Sequence, residues 1–436
     1  MSLATTPPHC YLCAAFVVRQ AHQPSSAQAK RMTKRQQEAK MEKRTGLFAN
    51  GIIWFGVAIS VSEIEAGIEI GAAAARDSLW LPLVLGHILG GILLFFVGLI
   101  GARVRLNAME TTKSSFGKYG SKFFAALNTF QLLAWVAVLN AQGASALAGL
   151  NLPISFPLTC VILAALIAAW VYVGIRRSAN VTTVVMTALT VLLAILSVKL
   201  FGLSNGSGAA TGTAAHAATL KFWNIFEISI AMPISWLPVI SDYTKDAEKS
   251  LKATAISAIA YTVASLWMYI IGIEISGIGA GNNIAQAILL AGLGIPGIII
   301  VVLSTVTTNF LAANSAGESS KAIYSKINPK IAGVVVSFLS AALAISGIME
   351  HYISFLYLIA SVFAPMAAVL LVSFYFSKKR TESLGAWLWN IFAWLAGFIA
   401  YQVAEHFDSV FLGPTLLAVI VSAAFASVRV LSEKSH

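Results

Sequence analysis

Residues Phe222–Tyr243 read FWNIFEISIAMPISWLPVISDY, and this stretch decides the fold. It is long and apolar enough to cross a bilayer, which takes about 20 residues in a helix. Pro233 and Pro238 each remove a backbone donor and disrupt the helix locally. Ser235 and Trp236 lie between the two prolines. The sequence therefore predicts a membrane-spanning helix that is broken near its middle.

A second interrupted span lies at 51–71, which read GIIWFGVAISVSEIEAGIEIG. An ionisable side chain inside a span costs roughly 2.5–3.5 kcal/mol on insertion scales, so it is a functional hypothesis by default. Glu65 and Glu69 are one turn apart and share a helical face, whereas Glu63 points elsewhere if the segment is helical. Glu63 and Glu65 are therefore candidate functional groups, with a structural pairing role as the alternative. Glu69 is placed near the outer end.

The composition is that of a membrane protein. Hydrophobic residues make up 58% of the chain and charged residues only 11%, whereas soluble domains are about 25% charged. Because a spanning segment must satisfy its own backbone groups, the spans are predicted to be helices. Twelve spans are predicted, near 47–73, 79–102, 121–148, 153–175, 180–203, 222–241, 253–277, 297–320, 331–349, 352–376, 383–403 and 410–428.

The net charge of +11 is explained by the arrangement of the chain across the membrane and does not indicate a nucleic-acid partner. If the N-terminus is cytoplasmic, 26 of the 29 Lys and Arg residues lie on the cytoplasmic side of the predicted spans, and only Arg76, Lys199 and Lys221 lie on the other side. This asymmetry is the positive-inside pattern. It predicts a multi-pass protein of the cell inner membrane or plasma membrane, with both termini in the cytoplasm.

Two regions are predicted. Residues 1–45 form a disordered basic cytoplasmic tail, and residues 46–436 form the transmembrane transporter domain. The tail contains Cys10 and Cys13 beside His9, but no second ligand pair lies nearby, so no metal site is predicted there. The chain also has no nucleotide-binding P-loop, zinc spacing or nucleophile elbow, and it is predicted not to be an enzyme.

The two broken spans are the first and the sixth, which are equivalent positions in a five-plus-five arrangement. Matched broken helices in two halves are the best sequence indication of a transporter binding site. Carbonyl groups freed at such breaks can hold a cation. The sequence therefore predicts a carrier that works by alternating access. A passive channel, a membrane-embedded enzyme built on Glu63 and Glu65, and an amino-acid carrier are the alternatives.

Two further spans carry polar groups. In the third span, Gln131 and Trp135 share a helical face, so the amide group of Gln131 lies beside the indole ring of Trp135, on which a ligand could stack. The eighth span contains hydroxyls and amides suited to a hard cation such as sodium: Ser304, Thr305, Thr307, Thr308, Asn309 and Asn314. The alternative for each Ser or Thr is a hydrogen bond to its own helix. His87 and Glu274 are isolated and are interpreted as structural or solvated.

Several of these motifs resemble those of a known family. The run 235–244, SWLPVISDYT, resembles the sixth-helix signature of the nucleobase:cation symporter-1 family, which includes cytosine, hydantoin, allantoin and uracil permeases. The run 307–314, TTNFLAAN, is similar to its eighth-helix sodium and substrate motif. The run 60–67, SVSEIEAG, looks closest to the hydroxymethylpyrimidine permease branch, the CytX type. The resemblance extends from about residue 46 to the end of the chain.

The resemblance implies a LeuT-like fold, with two inverted five-helix repeats and two extra C-terminal helices. It also implies a monomer whose substrate lies between helices 1, 3, 6 and 8. Trp135 and Trp236 would then sandwich the heterocycle, and Gln131 and Asn314 would hydrogen-bond its edge. Sodium would be coordinated by Thr307 and Thr308 together with backbone carbonyls near Ala58 and Val61.

Two departures from the family pattern leave alternatives open. One additional residue separates the threonine pair from the last asparagine, so Asn309 competes with Asn314 for the substrate role. The spacing of Gln131 and Trp135 also differs from that of the cytosine type, so Asn140 could replace Gln131. The acidic first helix could recognise an amino-bearing pyrimidine or could carry a proton.

The sequence thus predicts a symporter that imports a pyrimidine-type heterocycle, coupled to Na+ or H+ and without a further cofactor. Hydroxymethylpyrimidine is the first choice of substrate and cytosine the second. The predicted substrate-binding residues are Glu63, Glu65, Gln131, Trp135, Ser235, Trp236, Asn309 and Asn314.

Overall fold

The computed structural model describes residues 44–432, apart from 150–152, 207–219, 279–283, 378–382 and 408–411, and describes the backbone alone at 175–182 and 203–206. The predicted tail at 1–45 lies outside the described residues except for Arg44 and Thr45, and it stays a prediction.

The described residues are helical almost throughout. The first half of the chain contains α1 (Leu47–Ala58), α2 (Val61–Ala73), α3 (Trp80–Val104), α4 (Ala108–Thr111), α5 (Lys113–Gly149), α6 (Phe156–Val173) and α7 (Ile175–Gly206). The second half contains α8 (Phe222–Ser235), α9 (Ile240–Thr244), α10 (Ser250–Gly277), α11 (Ile284–Leu290), α12 (Gly294–Ile323), α13 (Pro329–Ile345), a short 3-10 helix (Ile348–His351), α14 (Tyr352–Phe376), α15 (Leu384–His406) and α16 (Pro414–Ser432).

In the part of the chain that the structure describes, eleven of the twelve predicted spans are long and apolar enough to cross a membrane, and the remaining one corresponds to a shorter apolar helix. Within the described residues, ten segments are long and apolar enough to cross a membrane, one of them formed by α8 and α9 together. The pair α1 and α2, bent by 49°, makes an eleventh. The twelfth is α13, whose 17 residues extend about 26 Å at 1.5 Å per residue, close to the roughly 30 Å of a bilayer core.

A kink precedes the third span. α5 consists of two helices joined at Gly117, where φ is +67°, and the helix that contains the predicted span, 121–148, begins just after this kink. A side chain there would be strained, and a Cβ would lie 2.4 Å from Cδ2 of Trp387. The kink therefore requires glycine.

The first span breaks between Ala58 and Val61. Ser60 has an extended backbone, and its hydroxyl accepts a hydrogen bond from the Glu63 amide at 3.2 Å. Serine is a preferred residue for beginning a helix in this way, and a carboxylate in the first turn is favoured by the helix dipole. The chain thus starts a new helix, α2, in the middle of the membrane.

The sixth span breaks between Ser235 and Ile240. α8 contains Pro233 and ends at Ser235, and α9 begins at Ile240 after a turn. Two amide side chains of α5 satisfy carbonyl groups at the break. Asn128 donates to the Pro238 carbonyl at 3.0 Å, and Gln131 donates to the Ser235 carbonyl at 3.0 Å. The break is tolerated in the membrane because these buried carbonyls have partners inside the protein.

The two halves of the first span both pack on α10. The backbones of α2 and α10 approach very closely, since a Cβ at Gly67 would lie 2.3 Å from the Tyr269 carbonyl oxygen and a Cβ at Gly272 would lie 2.1 Å from that of Ile64. Small residues allow this kind of contact between membrane helices. α10 therefore holds α2 in place beside the break.

Candidate functional site

A small cavity lies between the two breaks. Its free volume is about 10 Å3, room for about one water molecule and far below the roughly 300–1,000 Å3 of typical ligand pockets. A heterocycle would therefore fit only after the walls of the cavity move apart. The lining residues come from α1, α2, α5, α8, α12 and the breaks: Val57, Ser60, Ser62, Glu63, Trp135, Leu139, Met232, Trp236 and Thr308.

Both tryptophans that were predicted to stack on a heterocycle line this cavity. Trp236 is 8% exposed and meets Trp54 edge-on, with ring centroids 5.9 Å apart. Trp135 is 6% exposed and packs edge-on against Phe355 at 5.3 Å. Since neighbouring rings hold each indole in place, the two side chains provide fixed apolar surface at the cavity wall.

Glu63 is the carboxylate among the described lining residues. It is 2% exposed, and its two oxygens accept hydrogen bonds from the Tyr261 hydroxyl at 2.9 Å and the Ser265 hydroxyl at 2.8 Å. Both donors belong to α10. Glu63 therefore connects the cavity to the helix on which α2 packs.

Glu65 does not line the cavity. It is half-buried in α2, and Glu69, one turn further on, is exposed. Because α2 is helical from Val61, residues two positions apart point about 200° away from each other. Of the two predicted glutamates, the structure places Glu63 at the cavity and turns Glu65 away from it.

Gln131 and Ser235 support the sixth-span break and do not line the cavity. The Gln131 amide nitrogen donates to the Ser235 carbonyl and, at 2.9 Å, to Asn128 Oδ1. The Ser235 hydroxyl donates to the Met232 carbonyl at 2.6 Å. Gln131 and Ser235 were predicted to bind substrate, and in this structure each side chain donates a hydrogen bond to a backbone carbonyl.

The two competing asparagines of the eighth span also lie outside the cavity lining. Asn309 is fully buried, and its amide atoms have no hydrogen-bond partner within the described part of the chain. Asn314 lies 3.4 Å from the Tyr243 hydroxyl, to which its amide donates. The alternative to Gln131, Asn140, donates to the Cys160 carbonyl at 3.1 Å. The residue of α12 that does reach the cavity is Thr308.

Four oxygens converge where α12 meets the first-span break. Ser304 Oγ donates to the Ile59 carbonyl at 2.9 Å. Thr308 Oγ1 lies 3.4 Å from the carbonyl oxygens of both Val57 and Ile59. Hydroxyls and carbonyls freed by a broken helix are the groups that hold a coupling cation in membrane transporters with interrupted helices. The chemistry of this donor set therefore fits a hard cation.

This set differs from the predicted one. Thr307 Oγ1 donates to the carbonyl of Leu303 at 2.7 Å, within its own helix, as the alternative had anticipated. The break carbonyls at Thr308 belong to Val57 and Ile59, and not to Ala58 or Val61. Val61 is the first residue of α2. The difference arises because the position of the break sets which carbonyls are free.

Leu139 and Met232 line the cavity and were missed by the sequence analysis. Leu139 lies one turn beyond Trp135 in α5, so its spacing was enough to place it on the same face. Met232 directly precedes Pro233, and nothing in its own spacing pointed to the cavity.

Solved structures share this architecture. Mhp1, a nucleobase-cation-symport-1 family transporter in a closed conformation with bromovinylhydantoin bound, matches with a TM-score of 0.69 and 19% identity, over 90% of this chain and 94% of that chain. A Na+-coupled sialic acid symporter in a substrate-bound outward-open state matches with a TM-score of 0.65 and 14% identity, over 88% of this chain and 90% of that chain. These matches confirm the predicted LeuT-like fold.

Sequence comparisons identify the family. The cytosine permease of Escherichia coli (strain K12) is 22% identical over 349 residues, which cover 78% of this chain and 80% of that protein. Residues 39–425 match the family described as permeases for cytosine/purines, uracil, thiamine and allantoin. This match covers most of the chain and includes both breaks and the cavity. The chain therefore belongs to this family, the nucleobase:cation symporter-1 family, and is a membrane transporter rather than an enzyme.

Proposed function

We propose that the protein imports a single-ring pyrimidine, with hydroxymethylpyrimidine as the preferred substrate, in symport with Na+ or H+. The observation that carries this proposal is the combination of Trp135, Trp236 and Glu63 on one small cavity between the broken spans. Indole faces favour a flat aromatic ligand. A carboxylate accepts hydrogen bonds from amino and ring N–H groups, and hydroxymethylpyrimidine carries an amino group.

Cytosine is the second candidate substrate. It also carries an amino group, and a cytosine permease is among the relatives of this chain. The acidic run 60–67 favours hydroxymethylpyrimidine, since its resemblance is to that branch of the family.

Transport would follow alternating access around the cavity. Substrate would bind against the two indoles and Glu63, and a sodium ion, if it is the coupling ion, would bind at the oxygens of Val57, Ile59, Ser304 and Thr308. Both ligands would contact the first-span break, so each is expected to raise the affinity of the other. The protein would act as a monomer in the cell inner membrane, with both termini in the cytoplasm.

Uptake into liposomes that contain the purified protein tests this function. Radiolabelled hydroxymethylpyrimidine, cytosine and uracil are compared with a sodium gradient, a pH gradient or no gradient. We expect saturable, gradient-driven uptake of hydroxymethylpyrimidine, and counterflow when the liposomes are preloaded with it. Non-saturable uptake without counterflow would indicate a channel, and failure to transport any of the pyrimidines would contradict the proposed substrate class.

A further inference from the structure

His87 lies at the centre of a buried hydrogen-bond network that joins three helices. It belongs to α3 and has no exposed surface. Nδ1 lies 2.7 Å from the Ser229 hydroxyl of α8 and 3.1 Å from the Leu83 carbonyl oxygen. Nε2 lies 2.9 Å from the Ser265 hydroxyl of α10. The same Ser265 hydroxyl lies 2.8 Å from Oε2 of Glu63.

The hydrogens on one side of the ring are fixed by its neighbours. The Ser229 hydroxyl lies 2.6 Å from the Leu83 carbonyl, and two oxygens at this distance need a hydrogen between them, which only Ser229 can supply. Since its one hydrogen is used there, Nδ1 of His87 has two acceptors beside it and must carry a hydrogen itself. Nε2 is therefore the position at which His87 gains or loses a proton.

Ser265 has one hydrogen and lies between two groups that can accept it, Nε2 of His87 and the Glu63 carboxylate. If Glu63 is protonated, it donates to Ser265 and Ser265 donates to Nε2. If Glu63 is ionised, protonated Nε2 donates to Ser265 and Ser265 donates to Glu63. In each arrangement, Nε2 of His87, the Ser265 hydroxyl and the Glu63 carboxyl group all have hydrogen-bond partners, and His87 and Glu63 share one proton. With neither group protonated, one acceptor lacks a donor, which is costly in a buried site.

The charges around this network favour keeping that proton. No Lys or Arg side chain is paired with Glu63 in the described residues, whose ion pairs are Arg76–Glu274 and Lys245–Glu318. An unpaired buried carboxylate is costly, and a shared proton removes its net charge.

The other titratable groups near the network are accounted for. Tyr261 and Tyr269 face it from α10, and Tyr352, which hydrogen-bonds Ser62, lies beside it on α14. Glu65 is on the other face of α2. On α8, the nearby Glu227 is engaged with Thr415 of α16. α9 and α14 pack on the far half of α3, where Ser241 donates to the Val97 carbonyl and Tyr375 to the Phe96 carbonyl.

We propose that His87, Ser265 and Glu63 form a proton-binding site that couples proton movement to the substrate cavity. One proton resides on His87 Nε2 or on Glu63, and Ser265 passes it between them. Glu63 also lines the cavity and belongs to α2. When the cavity opens to one side of the membrane, water reaches the Glu63 carboxyl group and the proton leaves to it. This proposal rests on the proposed function as a symporter and adds a proton to the ions that it moves, at a site separate from the cation site at Thr308.

Transport by variants tests the coupling. Neither His87 nor Ser265 lines the cavity. We therefore expect His87→Gln and Ser265→Ala to lose substrate accumulation driven by a pH gradient by about tenfold or more, which is about 1.4 kcal/mol. Counterflow should remain within about twofold of the unmodified protein, since it needs no net proton movement. His406→Gln, at an exposed position on α15, is the matched control. Equal loss of accumulation and counterflow would overturn the coupling role.

Infrared difference spectroscopy tests the proton site without any substrate. The purified protein is titrated with pH, and the C=O band of a protonated carboxyl group is followed. We expect one band to be missing in Glu63→Gln, and the pH at which it disappears to move in His87→Gln. Glu227→Gln, which removes a different buried carboxyl group, should leave both properties unchanged. A Glu63 band that is insensitive to His87→Gln would contradict the shared proton.

The two experiments separate the failure of each proposal. If no pyrimidine is transported but the infrared response to His87→Gln is found, the proposed substrate is wrong and the proton site stands. If pyrimidines are transported and neither response is found, the proton site is wrong and the proposed function stands. Expression level and thermal stability of each variant confirm that it is folded.

Discussion

Ser304 Oγ donates a 2.9 Å hydrogen bond to the Ile59 carbonyl oxygen, so α12 is joined directly to the break in the first span. These two residues are 245 positions apart in the chain. The contact brings the hydroxyl of Thr308, one turn further along α12, to the same carbonyl and to that of Val57. A cation at this point would bind both halves of the chain at once.

The first prediction concerns sodium. Thr308→Ala removes a hydroxyl that faces the break, and we expect the sodium concentration for half-maximal uptake to rise about tenfold, a loss of about 1.4 kcal/mol. Thr307→Ala is the matched control, because its hydroxyl donates within its own helix, and it should change this value less than about twofold. The measurement is initial uptake against sodium concentration. Sodium-independent uptake by the unmodified protein would contradict the cation role of these oxygens.

The second prediction separates the two glutamates. Glu63 lines the cavity and Glu65 does not, so Glu63→Gln should alter the preference for cytosine over uracil by about tenfold, the effect of losing one hydrogen bond to a charged group. Glu65→Gln should leave the preference within about twofold. Competition of each pyrimidine against labelled hydroxymethylpyrimidine measures both. The reverse order of effects would show that Glu65 is the group that contacts substrate.

The third prediction concerns Gln131. Its amide supports the Ser235 carbonyl at the sixth-span break, so Gln131→Ala should destabilise the protein by about 1–3 kcal/mol, the usual result of leaving a buried polar group without its partner. Thr129→Ala, which removes a hydroxyl bonded within the same helix, is the control and should have little effect. Thermal unfolding in detergent measures both. Lost substrate affinity at unchanged stability would instead favour direct contact with substrate.

The fourth prediction concerns the contact of α2 with α10. Gly272→Ala places a Cβ 2.1 Å from the Ile64 carbonyl oxygen, so the helices must separate or the protein must unfold. We expect a fall in thermal stability of about 1–3 kcal/mol, typical of overpacking, together with lost uptake. Gly202→Ala has no atom within 4 Å of its added Cβ and should behave like the unmodified protein. Normal stability of Gly272→Ala would contradict the close approach.

The architecture could be predicted from local features of the sequence. Pro233 and Pro238 act on their own helix, and acidic side chains such as Glu63 and Glu65 are costly in a span whatever surrounds them. The breaks could therefore be predicted without knowing which residues of other helices contact them. Trp236 lies within one of these breaks and lines the cavity, and its contact with substrate stays a prediction.

Residues outside the breaks were harder to place. Glu65, Asn309 and Asn314 were predicted to contact substrate, but their directions depend on where α2 begins and on the rotation of α12, which tertiary packing decides. The partner of Glu63, Tyr261, is 198 positions away, so no spacing reveals it. His87 was interpreted as structural or solvated, because Ser229 and Ser265 lie on other helices and their contacts with it appear only in the fold.

The central claim is that Trp236, held between the prolines of the broken sixth span, forms part of the substrate site. Its most direct test is equilibrium binding of radiolabelled hydroxymethylpyrimidine to purified protein and to Trp236→Ala. Stacking of a base on an aromatic ring contributes about 1–3 kcal/mol, so we expect affinity to fall by about tenfold or more. Trp389→Ala removes an indole that donates to the Phe425 carbonyl of α16 and does not line the cavity, and this variant should bind normally. Unchanged binding by a folded Trp236→Ala protein would contradict the account.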